Sequence, residues 1–194
     1  YYLVGLLAQT LLKNKLNASV VYDPRLYWNT VEMINDAGGK PVLSKTGHAF
    51  IKETMRRENA VYGGEMSAHH YFSSFAFCDN GTIPWLLITQ LMADTGKSIS
   101  QLVSERMEKY PCSGEINLKV SDAKQILNML STHYQASASL IDHTDGLGIE
   151  FDSWRFNVRM SNTEPLLRVN VESRGDKTLM ENKTNELLRL IKGL

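Results

Sequence analysis

Cysteine is scarce. Cys78 and Cys112 are the only two in 194 residues, too few for a disulfide framework. Neither sits at a metal-ligand spacing, so a disulfide-stapled secreted module and a structural zinc module are both excluded. A reducing, cytoplasmic setting is expected. Excess charge is also lacking. Twenty-one Lys and Arg balance twenty-one Asp and Glu. No broad basic surface remains for a nucleic-acid backbone or an anionic membrane, although a local cationic site is still possible. Long apolar runs are missing too. The opening stretch, residues 1–12, is shorter than the ~20 residues a membrane span needs. It also has no basic lead-in of the signal-peptide kind. The chain opens on Tyr1 rather than Met and is expected to be part of a longer one.

The remaining composition, 43% hydrophobic and 22% charged, suits a folded globular chain. Apolar periodicity predicts helices over 2–12, 30–37, 47–58, 84–93 and 98–110, with strands over 18–22, 41–44, 60–62 and 73–78. Gly38-Gly39 reads as a C-cap, Thr46 as a cap for the helix at 47–58, and Ser98 with Gln101 as a capping box. After the breaker cluster Pro111-Cys112-Ser113-Gly114 the pattern changes. A strand at 115–120 and a helix at 122–134 lead into strands at 140–143, 148–151, 154–160 and 166–172, then a final helix at 176–192. Short turns between those strands favour antiparallel pairing. The expected architecture is a mixed-sheet α/β domain over 1–112. A smaller α+β domain with an antiparallel sheet and two helices follows over 113–194. Trp28, Trp85, Trp154 and the methionines are expected in the core. Along 154–160, Trp154, Phe156, Val158 and Met160 alternate with Arg155, Asn157 and Arg159. In the next strand Arg168 and Asn170 are expected outward.

Three segments carry chemistry. Arg159, Ser161, Asn162 and Thr163 sit in a polar loop with an Arg on each flank. They offer a fork-shaped cation and hydroxyl donors, the groups that converge on a phosphate. The same residues also make an ordinary β-turn. In Gly63-Gly64-Glu65-Met66-Ser67-Ala68-His69-His70, Glu65 can accept hydrogen bonds from a vicinal diol. The alternative is a structural loop with surface imidazoles. His69 and His70, as neighbours on a strand, are not placed to share one metal ion. Ser44-Lys45-Thr46-Gly47-His48 is not a P-loop but lies at a strand-to-helix junction, where α/β sheets bind ligands. An ordinary turn fits it as well. Arg25 follows Asp23-Pro24 in the same kind of loop. His133, His143 and Arg56-Arg57 read as surface or structural residues.

Taken in order, 45–48, 64–69 and 159–165 resemble the α-D-phosphohexomutases. Asp23-Pro24-Arg25-Leu26-x-Trp28-Asn29-Thr30 and residues 63–72 are similar to the bacterial branch of that family in GDP-mannose synthesis. The resemblance implies the third and fourth of four domains around a cleft. It implies interconversion of mannose 6-phosphate and mannose 1-phosphate through a phosphoserine and a bisphosphorylated sugar. It places Glu65, Ser67, His69, His48 and Arg25 at the sugar, and Arg159, Ser161, Asn162 and Thr163 at the phosphate not being transferred. Mg²⁺ and a hexose 1,6-bisphosphate activator are implied for the full-length enzyme. Neither the Ser-His-Asn-Pro-type phosphoserine loop nor the Asp-x-Asp-x-Asp metal loop occurs in this chain. No catalytic residue and no metal ligand is therefore assigned to it, and the N-terminal domains of the same chain are the implied partner. Two departures stand out: many members have Gly where this chain has Ala68, and Lys where it has Arg25. Glucose- or glucosamine-phosphate specificity, or a non-catalytic sugar-phosphate-binding module, are the alternatives.

Overall fold

The computed structural model describes residues 1–193 except Leu26, Asn162, Thr163 and Pro165. The described chain divides into two compact units, Tyr1–Met107 and Glu108–Leu194.

The first unit is built on one mixed sheet. Its strands are β1 (Ser19–Tyr22), β2 (Lys40–Leu43), β3 (Tyr62–Gly64), β4 (His70–Phe72) and β5 (Cys78–Asp79), in the order β2-β1-β3-β4-β5. β1 pairs in parallel with β2 and β3, while β4 and β5 are added antiparallel. The helices are α1 (Tyr2–Leu12), α2 (Trp28–Asp36), α3 (His48–Arg57), α4 (Thr82–Thr95) and α5 (Ile99–Lys109). Strand alternation sorts the core into two layers. Val20, Tyr22, Tyr62 and Phe72 pack with Val4, Leu7 and Leu12 of α1. Val21 and Tyr71 point to the other face, onto Ile51 and Met55 of α3. Burial of such side chains, about 1.5–3 kcal/mol each, holds the helices on both faces. The capping box at the start of α5 forms: Gln101 N donates to Ser98 Oγ and Ser98 N donates to Gln101 Oε1.

Several expectations are corrected. Residues 73–77 are not a strand; Ser73–Phe75 is a 3-10 turn, Ala76 and Phe77 both take left-handed angles (φ 51° and 59°), and only Cys78 of the expected strand lies in one, β5. The β3 strand lies two residues later than the pattern at 60–62 suggested. Trp85 is not in the core but 65% exposed on α4, beside exposed Leu86. Gly47, not Thr46, caps α3, and no side-chain cap bond forms there.

The second unit carries β6 (Ile116–Lys119), β7 (Leu140–Asp142), β8 (Leu147–Glu150), β9 (Trp154–Met160) and β10 (Leu166–Ser173). All are antiparallel in the order β6-β10-β9-β8-β7. Two helices, α6 (Ala123–Tyr134) and α7 (Lys177–Lys192), cover one face. Each begins with an Asp whose side chain accepts from the third residue on: Asp122 from Gln125 N and Asp176 from Leu179 N. Trp154, Phe156, Val158, Leu167, Val169 and Val171 form the core beneath them. Met160 and Met107 depart from expectation: both are exposed. The polar faces of β9 and β10 are not solvated as alternation alone suggests. Arg155, Asn157, Arg159, Asn170 and Glu172 are all buried. Arg155 pairs with Glu172 at 2.8 Å, so that pair carries its own compensation.

Candidate functional site

In the first unit, three loops leave the C-terminal ends of the adjacent parallel strands β1, β2 and β3, where open α/β sheets place ligands. Two buried carboxylates tie them together. Asp23, at the end of β1, forms a two-point ion pair with Arg25: Arg25 Nη2 lies 2.8 Å from Asp23 Oδ2, and Arg25 Nε donates to Asp23 Oδ1 at 3.1 Å. Asp23 Oδ1 also accepts from Arg25 N, closing an Asx turn, and Oδ2 accepts from Met66 N at 3.0 Å. The first loop is thereby fastened to the third.

Glu65 fastens the second to the third. Its Oε1 accepts from Gly47 N at 2.9 Å, and its Oε2 accepts from the Tyr71 hydroxyl at 2.6 Å. Burial, and then the bond to Glu65, push the Tyr71 phenol well above its usual range, so it stays a donor. Glu65 is buried, and each of its oxygens keeps a further lone pair.

The loop 65–69 is itself closed by Glu65 N donating to His69 O and Ala68 N to Glu65 O. Ala68 sits at φ 65°, a left-handed angle that suits glycine better. The two glycines before it are close-approach positions. A Cβ on Gly63 would lie 2.7 Å from Met55 Sδ, and one on Gly64 2.6 Å from Val4 Cγ1. Helices on both faces thus press against the strand that carries the loop.

The groups left exposed are those that can meet a ligand. Ser67 Oγ and His69 Nδ1 are 2.9 Å apart on the loop surface. His48 and Lys45 are exposed at the start of α3 and in the loop before it, with the Lys45 ammonium 5.0 Å from the centroid of the Phe50 ring. His70 differs from His69. It is buried, and its Nδ1 is 2.7 Å from the Tyr62 hydroxyl. Burial first, and more weakly the neighbouring His69, hold its pKa down to about 4.

In the second unit, Arg159 at the end of β9 is buried. Its guanidinium lies 3.5 Å from Glu115 Oε2 and 3.9 Å from Asp145 Oδ2. Arg168, across on β10, reaches Glu115 Oε1 at 3.3 Å and Ser161 Oγ at 3.4 Å. Ser161 N donates to Leu166 O, closing the base of the loop. Asn162 and Thr163 lie outside the described residues.

The structure therefore assembles two groups of the expected site residues. Arg25, Glu65, Ser67, His69 and His48 belong to the linked loops of the first unit, and Arg159 with Ser161 to the second. Asp23, Tyr71, Glu115 and Asp145 were missed. The Asx turn at Asp23-Pro24-Arg25 carried a local signal; the other three come into place only through strand pairing. Among the described residues, no three His, Cys, Asp or Glu side chains converge as a metal site. Among the same residues, no helix is long and apolar enough to cross a membrane.

Comparison with known proteins matches this geometry to one group. Residues 1–110 match the family model "Phosphoglucomutase/phosphomannomutase, alpha/beta/alpha domain III", and residues 115–188 match "Phosphoglucomutase/phosphomannomutase, C-terminal domain". The chain is 60% identical to the phosphohexose mutases of Xanthomonas campestris pv. campestris, over 100% of its own length and 43% of theirs. It is 54% identical to the phosphomannomutase of Escherichia coli K12, over 98% of its length and 42% of the relative's. The chain thus spans less than half the length of these relatives. A crystal structure of a phosphoglucomutase/phosphomannomutase family protein from Burkholderia thailandensis shares the fold. Its TM-score is 0.80 at 23% identity, over 98% of this chain and 41% of that one. The chain belongs to the phosphoglucomutase/phosphomannomutase family.

Proposed function

We propose that this chain is the substrate-recognition half of a phosphomannomutase that interconverts mannose 6-phosphate and mannose 1-phosphate. In this reading residues 1–112 form a sugar-recognition domain and 113–194 a phosphate-binding domain. The observation that carries it is the cross-linking of three strand-end loops by Asp23 and Glu65, which leaves Ser67, His69 and His48 exposed. Fixed loops with outward hydroxyl and imidazole groups suit a polyol ring, whose hydroxyls need several oriented partners. Glu65, with its remaining lone pairs, is the acceptor for a pair of sugar hydroxyls, and Arg25, held by Asp23, is a further sugar-site residue. Arg159, Ser161, Asn162 and Thr163 hold the phosphate that is not transferred.

In this reading no Mg²⁺ ligand is assigned to the chain. The metal and the phosphoserine are proposed to belong to N-terminal domains outside this sequence, with hexose 1,6-bisphosphate as activator and a cytoplasmic setting. The chain alone is accordingly expected to be inactive. Turnover by the purified chain, free of contaminating mutase, would refute that. The direct test is an amide NMR titration with mannose 1-phosphate, using inorganic phosphate and free mannose as controls. Shifts at 63–70 and around 159–161 with the sugar phosphate are expected. Shifts confined to the second unit, equal with inorganic phosphate, would remove sugar recognition from this chain.

A further inference from the structure

The linked loops of the first unit hold two buried carboxylates, Asp23 and Glu65, and one buried cation, Arg25. Arg25 is bound to Asp23 at two points, so that pair offsets itself. Glu65 accepts from two neutral donors, Gly47 N and the Tyr71 hydroxyl, and keeps its negative charge. A phosphate monoester brings up to two more negative charges. The carboxylate already present opposes it. A phosphorylated sugar on these loops therefore needs a further cation, and the second loop carries one, Lys45.

Lys45 is fixed along its backbone and loose at its tip. Ser44 N donates to Tyr22 O, Ser44 Oγ to Lys45 O at 3.2 Å, and Gly47 N to Glu65 Oε1 at 2.9 Å. The chain on either side of Lys45 is thus fastened to β1 and to the third loop. The exposed ammonium has no carboxylate partner among the described residues. It rests 5.0 Å from the centroid of the Phe50 ring. Phe50 is itself exposed in the first turn of α3. Its ring lies against Gly47, where a Cβ would be 3.5 Å from Phe50 Cδ2. Ring and ammonium therefore sit beside the residue whose N–H holds Glu65.

We propose that Lys45 is a substrate-binding residue whose ammonium leaves the Phe50 ring and pairs with the phosphate of a sugar phosphate on these loops. This rests on the sugar-recognition reading of the first unit and deepens it. An exposed ammonium–ring contact is worth a factor of about two to five. A unit charge about 4 Å from the ammonium is worth about five-fold even in bulk water, and a dianion roughly thirty-fold. The phosphate wins that exchange by about ten-fold. Lysine suits the task, because a compact charge on a flexible four-carbon stem can serve both a resting place and an anion.

The experiment is an amide NMR titration of the 194-residue chain with mannose 1-phosphate, for wild type, Lys45→Met and Lys45→Arg, with Kd read from signals of 63–70. Inorganic phosphate, read around 159–161, is the control in the second unit. Lys45→Met keeps an unbranched stem and removes the charge. It is expected to raise the sugar-phosphate Kd about ten-fold. Lys45→Arg should restore most of the loss, and added salt should narrow the gap between wild type and Lys45→Met. Phosphate binding around 159–161 and the melting temperature should not move. If Lys45→Met binds the sugar phosphate as wild type does, the role of Lys45 falls and the sugar site stands. A loss that neither Lys45→Arg nor salt alters, or an equal loss around 159–161, shows a packing effect and also overturns the proposal. If wild type shows no shifts at 63–70, the sugar-recognition reading falls and the proposal with it.

Discussion

Replacing Gly146 by Ala tests how closely the second sheet is packed around Arg159. Gly146 has φ 81°, and a Cβ there would lie 2.7 Å from Arg159 Cα and nearer still to the Val158 carbonyl oxygen. Gly175 supplies the control. Its φ is 67°, and a Cβ there meets nothing within 4 Å. Both substitutions incur the left-handed penalty of about 1–2 kcal/mol. Only Gly146→Ala adds a collision, and its partner is backbone, which cannot rotate away. Overpacking adds about 1–3 kcal/mol, and the upper end applies when strands must part. The expected losses are therefore about 1–2 kcal/mol for Gly175→Ala and about 3–5 kcal/mol for Gly146→Ala. For a unit of this size the difference lowers the midpoint by roughly 10–20 °C. Denaturant unfolding of the second unit, followed by amide signals of β9 and β10, measures both. Equal losses would show that β9 yields freely beside Gly146 and would refute the packing argument.

Asp23→Asn removes the carboxylate charge that faces the buried Arg25 and should cost about 3–5 kcal/mol. It should also speed hydrogen exchange at the Met66 amide; unchanged exchange there would disprove the tie between the loops. His70 gives a pH signature. Its folded pKa of about 4 lies below the unfolded value near 6.5, so its contribution is complete above pH 6.5 and declines as pH falls. The decline is about 1.4 kcal/mol per unit down to pH 4, or about 3 kcal/mol in all. Urea unfolding of wild type and His70→Gln across pH 7 to 4 should show a shallower slope in the variant, and parallel slopes would contradict this. Asp122→Ala and Asp176→Ala should each cost about 1 kcal/mol by removing an N-cap bond, and the losses should add. Thermal melts of the single and double variants check that.

Much of the fold was legible because period-2 and period-3.6 patterns alternate with clear breakers. The helices at both ends and the strands β9 and β10 follow directly from that alternation. The segment 73–78 was not legible. Its Ser and Phe content reads as strand, but Ala76 and Phe77 adopt left-handed angles with no glycine to announce them. Trp85 misled for another reason. The α4 sequence is apolar on all sides, so no face could be picked as the buried one. In the site, Arg159, Ser161, Glu65 and Ser67 stand in short local motifs and could be named. Glu115 could not. It lies 44 residues before Arg159, and only the pairing of β10 with both β6 and β9 brings the two together.

The placing of the three tryptophans has a spectroscopic consequence. Trp28 is buried in the first unit and Trp154 in the second, while Trp85 stands in water. A water-soluble quencher will reach Trp85 and spare the other two, and red-edge emission will belong mainly to it. Once Trp85 is replaced by Phe, the remaining fluorescence carries one reporter per unit. Trp154 also lies flat against Phe151, with ring centroids 4.4 Å apart, so its emission senses the aromatic packing of its own core. Cooperative or stepwise melting of the two units can then be read from native residues, with no dye attached.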